Sequence, residues 1–126
     1  MNLAFQVLAV LAGLVHVAIF AMESVLFTRP AVFRRFRVRD AAEAASIRPW
    51  AFNQGFYNLF LAVGAIGGVI ACGAGSQQAG TAVALFSCAC MVAAAAILVA
   101  TDRRMAQAAA VQGTFPLLAI LAALLG

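Results

Sequence analysis

No lysine occurs among the 126 residues, and the chain has only four acids, one histidine, one tryptophan and one tyrosine. Charged residues make up 10% of it, against roughly 25% in a soluble globular domain. So little charge cannot cover a water-facing surface, which excludes a soluble enzyme and a disordered chain. Metal-ligand residues are equally scarce. One histidine and three cysteines, Cys72, Cys88 and Cys90, do not make up a zinc or di-iron set. Cys88 and Cys90 are two apart on a helix and point in nearly opposite directions. All three read as small packing residues. No phosphate loop, serine elbow or paired-carboxylate site is present. Haem ligation by His16 lacks a second histidine, and no cofactor can be assigned.

Apolar residues make up 66% of the chain, and its mean hydropathy is +1.05. The composition is that of an integral membrane protein. A net charge of +4 and a pI near 9.8 would suit a nucleic-acid binder, but the arginines are segregated. Arg29, Arg34, Arg35, Arg37, Arg39 and Arg48 fall in one segment between apolar runs, and Arg103 and Arg104 in another. This is the loop pattern of the positive-inside rule, not a nucleic-acid footprint.

A bilayer core about 30 Å thick takes roughly 20 helical residues to cross. Runs at residues 3–27, 51–71, 79–100 and 108–125 meet that length approximately. The expected fold is all-α: a four-helix transmembrane bundle forming a single domain over residues 1–126. The first run lacks basic residues ahead of it and a small-residue cleavage site, so it reads as a retained span. Four spans put both arginine-bearing segments on one side. The expected orientation has both termini in the periplasm and the arginines in the cytoplasm of a bacterial inner membrane.

Residues 28–50 form an amphipathic cytoplasmic loop in which Phe33 and Phe36 alternate with arginines. Such a stretch can lie at the interface with rings toward acyl chains, making membrane lipids a partner. Asp40 and Glu43 resemble a capping pair for a short helix, and Pro49 can start the second span. Gly64 and Gly68, with Gly67 beside them, form a small-residue face for helix packing or for a homo-oligomer.

Ionisable groups inside a span are costly and are functional candidates by default. His16 and Glu23 are seven residues apart, nearly two turns, and share a helix face. The second span opens with Asn53, Gln54, Tyr57 and Asn58, covering an arc of roughly 140° at 100° per residue. Gln112, Gly113, Thr114 and Pro116 enter from the same side on the fourth. These residues point to a cytoplasm-facing polar pocket. His16, Glu23, Asn53, Gln54, Tyr57, Asn58 and Gln112 are its candidate ligand-binding or proton-handling residues. The pocket would bind, or also transport, a small polar or amphipathic ligand. Two other roles fit the same residues: an enzyme using Glu23 or His16 as acid/base on a lipid-like substrate, and a structural or accessory subunit held by polar inter-helix bonds.

The run from His16 to Glu23, the stretch Asn53-Gln54-Gly55-Phe56-Tyr57-Asn58 and the run Gln112-Gly113-Thr114-Phe115-Pro116 resemble a family of small bacterial four-helix membrane proteins catalogued as a domain of unknown function. The resemblance covers essentially the whole chain. It implies the four-span fold and carries over His16, Glu23, Asn53, Gln54, Tyr57, Asn58, Gln112, Gly113 and Pro116. It departs at Phe27, where Trp is expected, and at Ser24, where Met is expected. It implies no reaction.

Overall fold

The computed structural model describes all 126 residues. It contains helices and no strands. Helix α1 (Leu3–Phe20) continues into a wide π-turn at Ala21–Val25. A short helix α2 (Pro30–Phe33) runs into a 3₁₀ turn, Arg34–Phe36. Then follow α3 (Ala41–Gly73), α4 (Gln77–Thr101), a 3₁₀ turn at Arg103–Met105 and α5 (Ala106–Leu125). Four helical stretches are long and apolar enough to cross a membrane: Leu3–Val25, Ala41–Gly73, Gln77–Thr101 and Arg103–Leu125.

The chain divides into two compact units, Met1–His16 with Leu61–Gly126, and Val17–Phe60. The larger unit is itself a four-helix arrangement built from parts of α1 and α3 and all of α4 and α5. Its core is made of small residues. Ala9, Ala84 and Ala119 gather around Phe5 and Cys88, and Ala12 and Ala65 around Met91. The large apolar side chains point outward instead: Phe86 is 72% exposed, Ile97 65% and Leu124 77%. Water would not tolerate such a surface. In lipid the arrangement is expected, because small residues inside let helices approach while large ones meet acyl chains.

Gly64 and Gly68 lie on the α3 face turned to α4. A Cβ on Gly68 would come within 2.6 Å of the Gly80 carbonyl oxygen and 2.7 Å of the Ala84 nitrogen. A Cβ on Gly64 would collide with the Ser87 hydroxyl. Gly67 faces open space. The small-residue pair thus serves packing within the chain. Asn2 ties the ends of this unit together. Its Oδ1 accepts from Phe5 N at 2.8 Å, capping α1, and its Nδ2 donates to the Ala122 carbonyl of α5 at 2.8 Å.

The smaller unit contains the arginine-rich connection. Phe27, Phe33, Val38 and Ala44 are buried together, with Phe36, Ile47 and Ala51 against them. Phe33 is therefore turned into the protein, not toward acyl chains, because the chain folds back on itself at Arg37, whose φ is 63°. The arginines at 29, 34, 35, 37, 39 and 48 all remain exposed on this knot.

The helix opening after Asp40 does not stop at Pro49 but runs unbroken to Gly73. Asp40 Oδ1 accepts from Glu43 N at 2.8 Å, half of a capping box. Glu43 reaches back to Arg39 instead of the cap residue, pairing with its Nε at 2.8 Å. That hydrogen bond, then the negative charge of Glu43, raises the Arg39 pKa. Pro49 removes one helical hydrogen bond, but its surroundings are exposed, so water can take the freed carbonyl. At 1.5 Å per residue, α3 is about 50 Å long, well beyond the bilayer core. Its first turns stand outside the hydrocarbon, and Trp50, 80% exposed, suits the interfacial level.

Candidate functional site

The smaller unit carries the chain's one buried acid. Glu23 sits in the π-turn and is 8% exposed. The turn is closed by Leu26 N donating to Ala21 O at 2.9 Å. An extra residue in a helical turn widens it and re-aims the side chains it carries, and such turns are frequent at functional sites.

Two contacts hold this turn against α3. Asn58 Nδ2 donates to Glu23 Oε1 at 2.6 Å and also contacts the Gln54 carbonyl at 3.2 Å. Ser24 Oγ donates to the Phe52 carbonyl at 2.8 Å. Gly55 makes the approach possible, since a Cβ there would overlap the Ser24 hydroxyl. One turn away, Phe20 meets Phe56 edge-on at 5.1 Å, and Phe56 lies 5.1 Å from Phe52. The carboxylate is thus fixed by a neutral amide, with no cation paired to it. Its other oxygen, Oε2, makes no bond within the protein, and no fully buried polar atom lacks a partner. Oε2 is therefore not completely covered, in keeping with the 8% of Glu23 that remains exposed. Chemically, it is an acceptor held ready for a donor or a cation.

The other sequence candidates fall differently. Asn53 and Gln54 have exposed side chains, and Tyr57 is 59% exposed. Of the polar arc on α3, only Asn58 turns inward with Gly55. His16 belongs to the larger unit and is 1% exposed. Its Nδ1 donates to the Ala12 carbonyl one turn back at 2.8 Å. In the neutral ring this leaves Nε2 as an acceptor. Gln112 is half-buried on α5 in that same unit, and Pro116 is buried there. The face-sharing argument for His16 and Glu23 assumes a uniform helix, and the wide turn starting at Ala21 breaks that periodicity. No group of three or more histidines, cysteines or acids is placed to hold a metal ion.

Sequence reasoning did not find Ser24 as a site residue or the π-turn itself. A hydroxyl next to an acid in an apolar run, opposite a glycine, is the signal that was available.

Four membrane-capable helices around small-residue cores define the class: a multi-pass, all-α membrane protein. Within that class, residues 10–124 match the family model described as "Protein of unknown function (DUF1304)", and the chain belongs to this family. Comparison with curated proteins and with solved structures finds no match.

Proposed function

We propose that the chain binds a small polar or amphipathic ligand through the Glu23 carboxylate, from the cytoplasmic side of a bacterial inner membrane. The observation that carries this reading is a buried, cation-free carboxylate with one oxygen held by Asn58 and the other uncommitted. An acid is an expensive way to join two helices when an amide would serve. The uncommitted oxygen selects a ligand head that donates a hydrogen bond or carries positive charge, with the Phe20, Phe52 and Phe56 rings beside an apolar tail. Transport is a further step that the same site would allow.

A lipid-soluble carbodiimide tests whether the carboxyl is open to small molecules. In native membranes it should modify Glu23, detected by peptide mass spectrometry. Modification only after denaturation would mean a sealed inter-helix contact and would favour a structural subunit.

The orientation follows from the arginine distribution, with both termini in the periplasm. It is testable by cysteine labelling in a chain whose Cys72, Cys88 and Cys90 are replaced by alanine. Ala74→Cys should react with an impermeant maleimide in intact cells, and Ala31→Cys only after permeabilisation. The reverse pattern would overturn the orientation.

A further inference from the structure

Between α4 and α5, inside the larger unit, runs a groove of about 330 Å³. Its walls include Val92, Val99, Ala106, Gly113 and Leu117. Thr114 is the one polar side chain on the wall, and its hydroxyl donates to the Ala110 carbonyl at 2.6 Å. The groove therefore offers an occupant no free side-chain donor. None of its lining residues belongs to the Glu23 site, and nothing in the proposed ligand binding uses it.

Length and charge together point to an occupant. From Ala106 to Leu117 the α5 wall rises about 16 Å at 1.5 Å per residue. One leaflet of a bilayer core about 30 Å thick has nearly the same depth. The groove's lower end is the turn Arg103–Met105, which joins the two walls. Arg104 is occupied by Asp102, with Nε to Oδ1 and Nη2 to Oδ2 both at 3.0 Å. The Arg103 side chain is exposed, and both carboxylate oxygens of Asp102 are taken by Arg104. The nearest acid is thus already paired, and a cation stands at the level where an apolar tail ends.

We propose that this groove holds one acyl chain of an anionic membrane lipid, with the lipid phosphate on Arg103.

The full-length protein in detergent can be titrated with phosphatidylglycerol and phosphatidylcholine and read by native mass spectrometry. Wild type should bind one phosphatidylglycerol about fivefold more tightly than phosphatidylcholine, the factor expected from one arginine near an anionic headgroup. Arg103→Gln should bring that ratio close to one, weakening phosphatidylglycerol more than phosphatidylcholine. Ala110→Phe, an exposed position on the groove wall, should weaken both lipids, and Ala96→Leu provides a second filling variant should the first fail to fold. Inorganic phosphate should not displace the lipid. Equal binding of the two lipids by wild type would overturn the proposal, as would a preference that survives Arg103→Gln. Lipid occupancy indifferent to both filling variants would place the lipid elsewhere. Displacement by inorganic phosphate would reduce the site to an anion site without a chain. A dimer dissociated by Ala110→Phe would give the groove to a second copy of the protein.

Discussion

Gly68→Val is expected to destabilise the protein by about 3 kcal/mol, near the upper end of ordinary overpacking costs. The reason is backbone contact. At this crossing the α3 and α4 chains are so close that a Cβ on Gly68 meets Gly80 O and Ala84 N, neither of which can rotate away. The helices must separate, and the contacts of Ala65 and Ala84 with their neighbours are lost with them. Gly67→Ala is the control. Its Cβ would enter open space, and replacing glycine in a helix interior should stabilise by roughly 0.5–1 kcal/mol. Denaturant titration in detergent, followed by circular dichroism, measures both. Equal stability of Gly68→Val and wild type would mean that α3 and α4 do not cross at these glycines.

Glu23→Ala and Glu23→Gln are expected to differ in kind. Alanine removes the acceptor of the Asn58 amide inside a membrane span. Hydrogen bonds between spans average about 0.6 kcal/mol, with a maximum near 1.7. The 2.6 Å bond to a carboxylate belongs at the upper end, so a loss of about 1.5 kcal/mol is expected. Glutamine keeps a carbonyl oxygen for Asn58 and should fold with less than about 0.5 kcal/mol of change. What glutamine loses is the ionisable group and the second oxygen acceptor. Asn58→Ala tests the same contact from the other side. It should lower stability like Glu23→Ala, and the double variant should cost little more than either single one.

Much of the fold was legible because the bilayer imposes so plain a requirement. Apolar runs of roughly 20 residues, with arginines at two of their three junctions, announce four helices. The helix ends were less legible. Pro49 reads as a start, yet α3 continues through it, because the lost hydrogen bond falls where water can replace it. Phe33 alternates with arginines as an interfacial ring would, but the left-handed turn at Arg37 folds the segment over it. Helix orientation was the hardest to read. In lipid the outside of a helix is as apolar as the inside, so polarity does not mark the inner face. The polar arc from Asn53 to Asn58 was too wide to face inward entire. The structure turns in Gly55 and Asn58 and leaves Tyr57 outside. Side-chain size was the better guide, since alanine, glycine and serine line the contacts between helices. The π-turn had no local signature, as the groups that hold it against α3 lie 28 and 35 residues away.

The central claim is that Glu23 receives a ligand and does not merely join two helices. It is tested most directly with a single-chain alkylammonium amphipath added to purified wild type and Glu23→Gln, with an alkyl sulphate of equal chain length as the control. Thermal unfolding is the readout, because a ligand that binds only the folded state raises its stability with concentration. The alkylammonium should stabilise wild type in a saturable manner, at least tenfold more tightly than the sulphate, and should lose that advantage in a normally folded Glu23→Gln. Equal stabilisation of the two proteins by the alkylammonium would contradict the account and leave Glu23 as a helix contact.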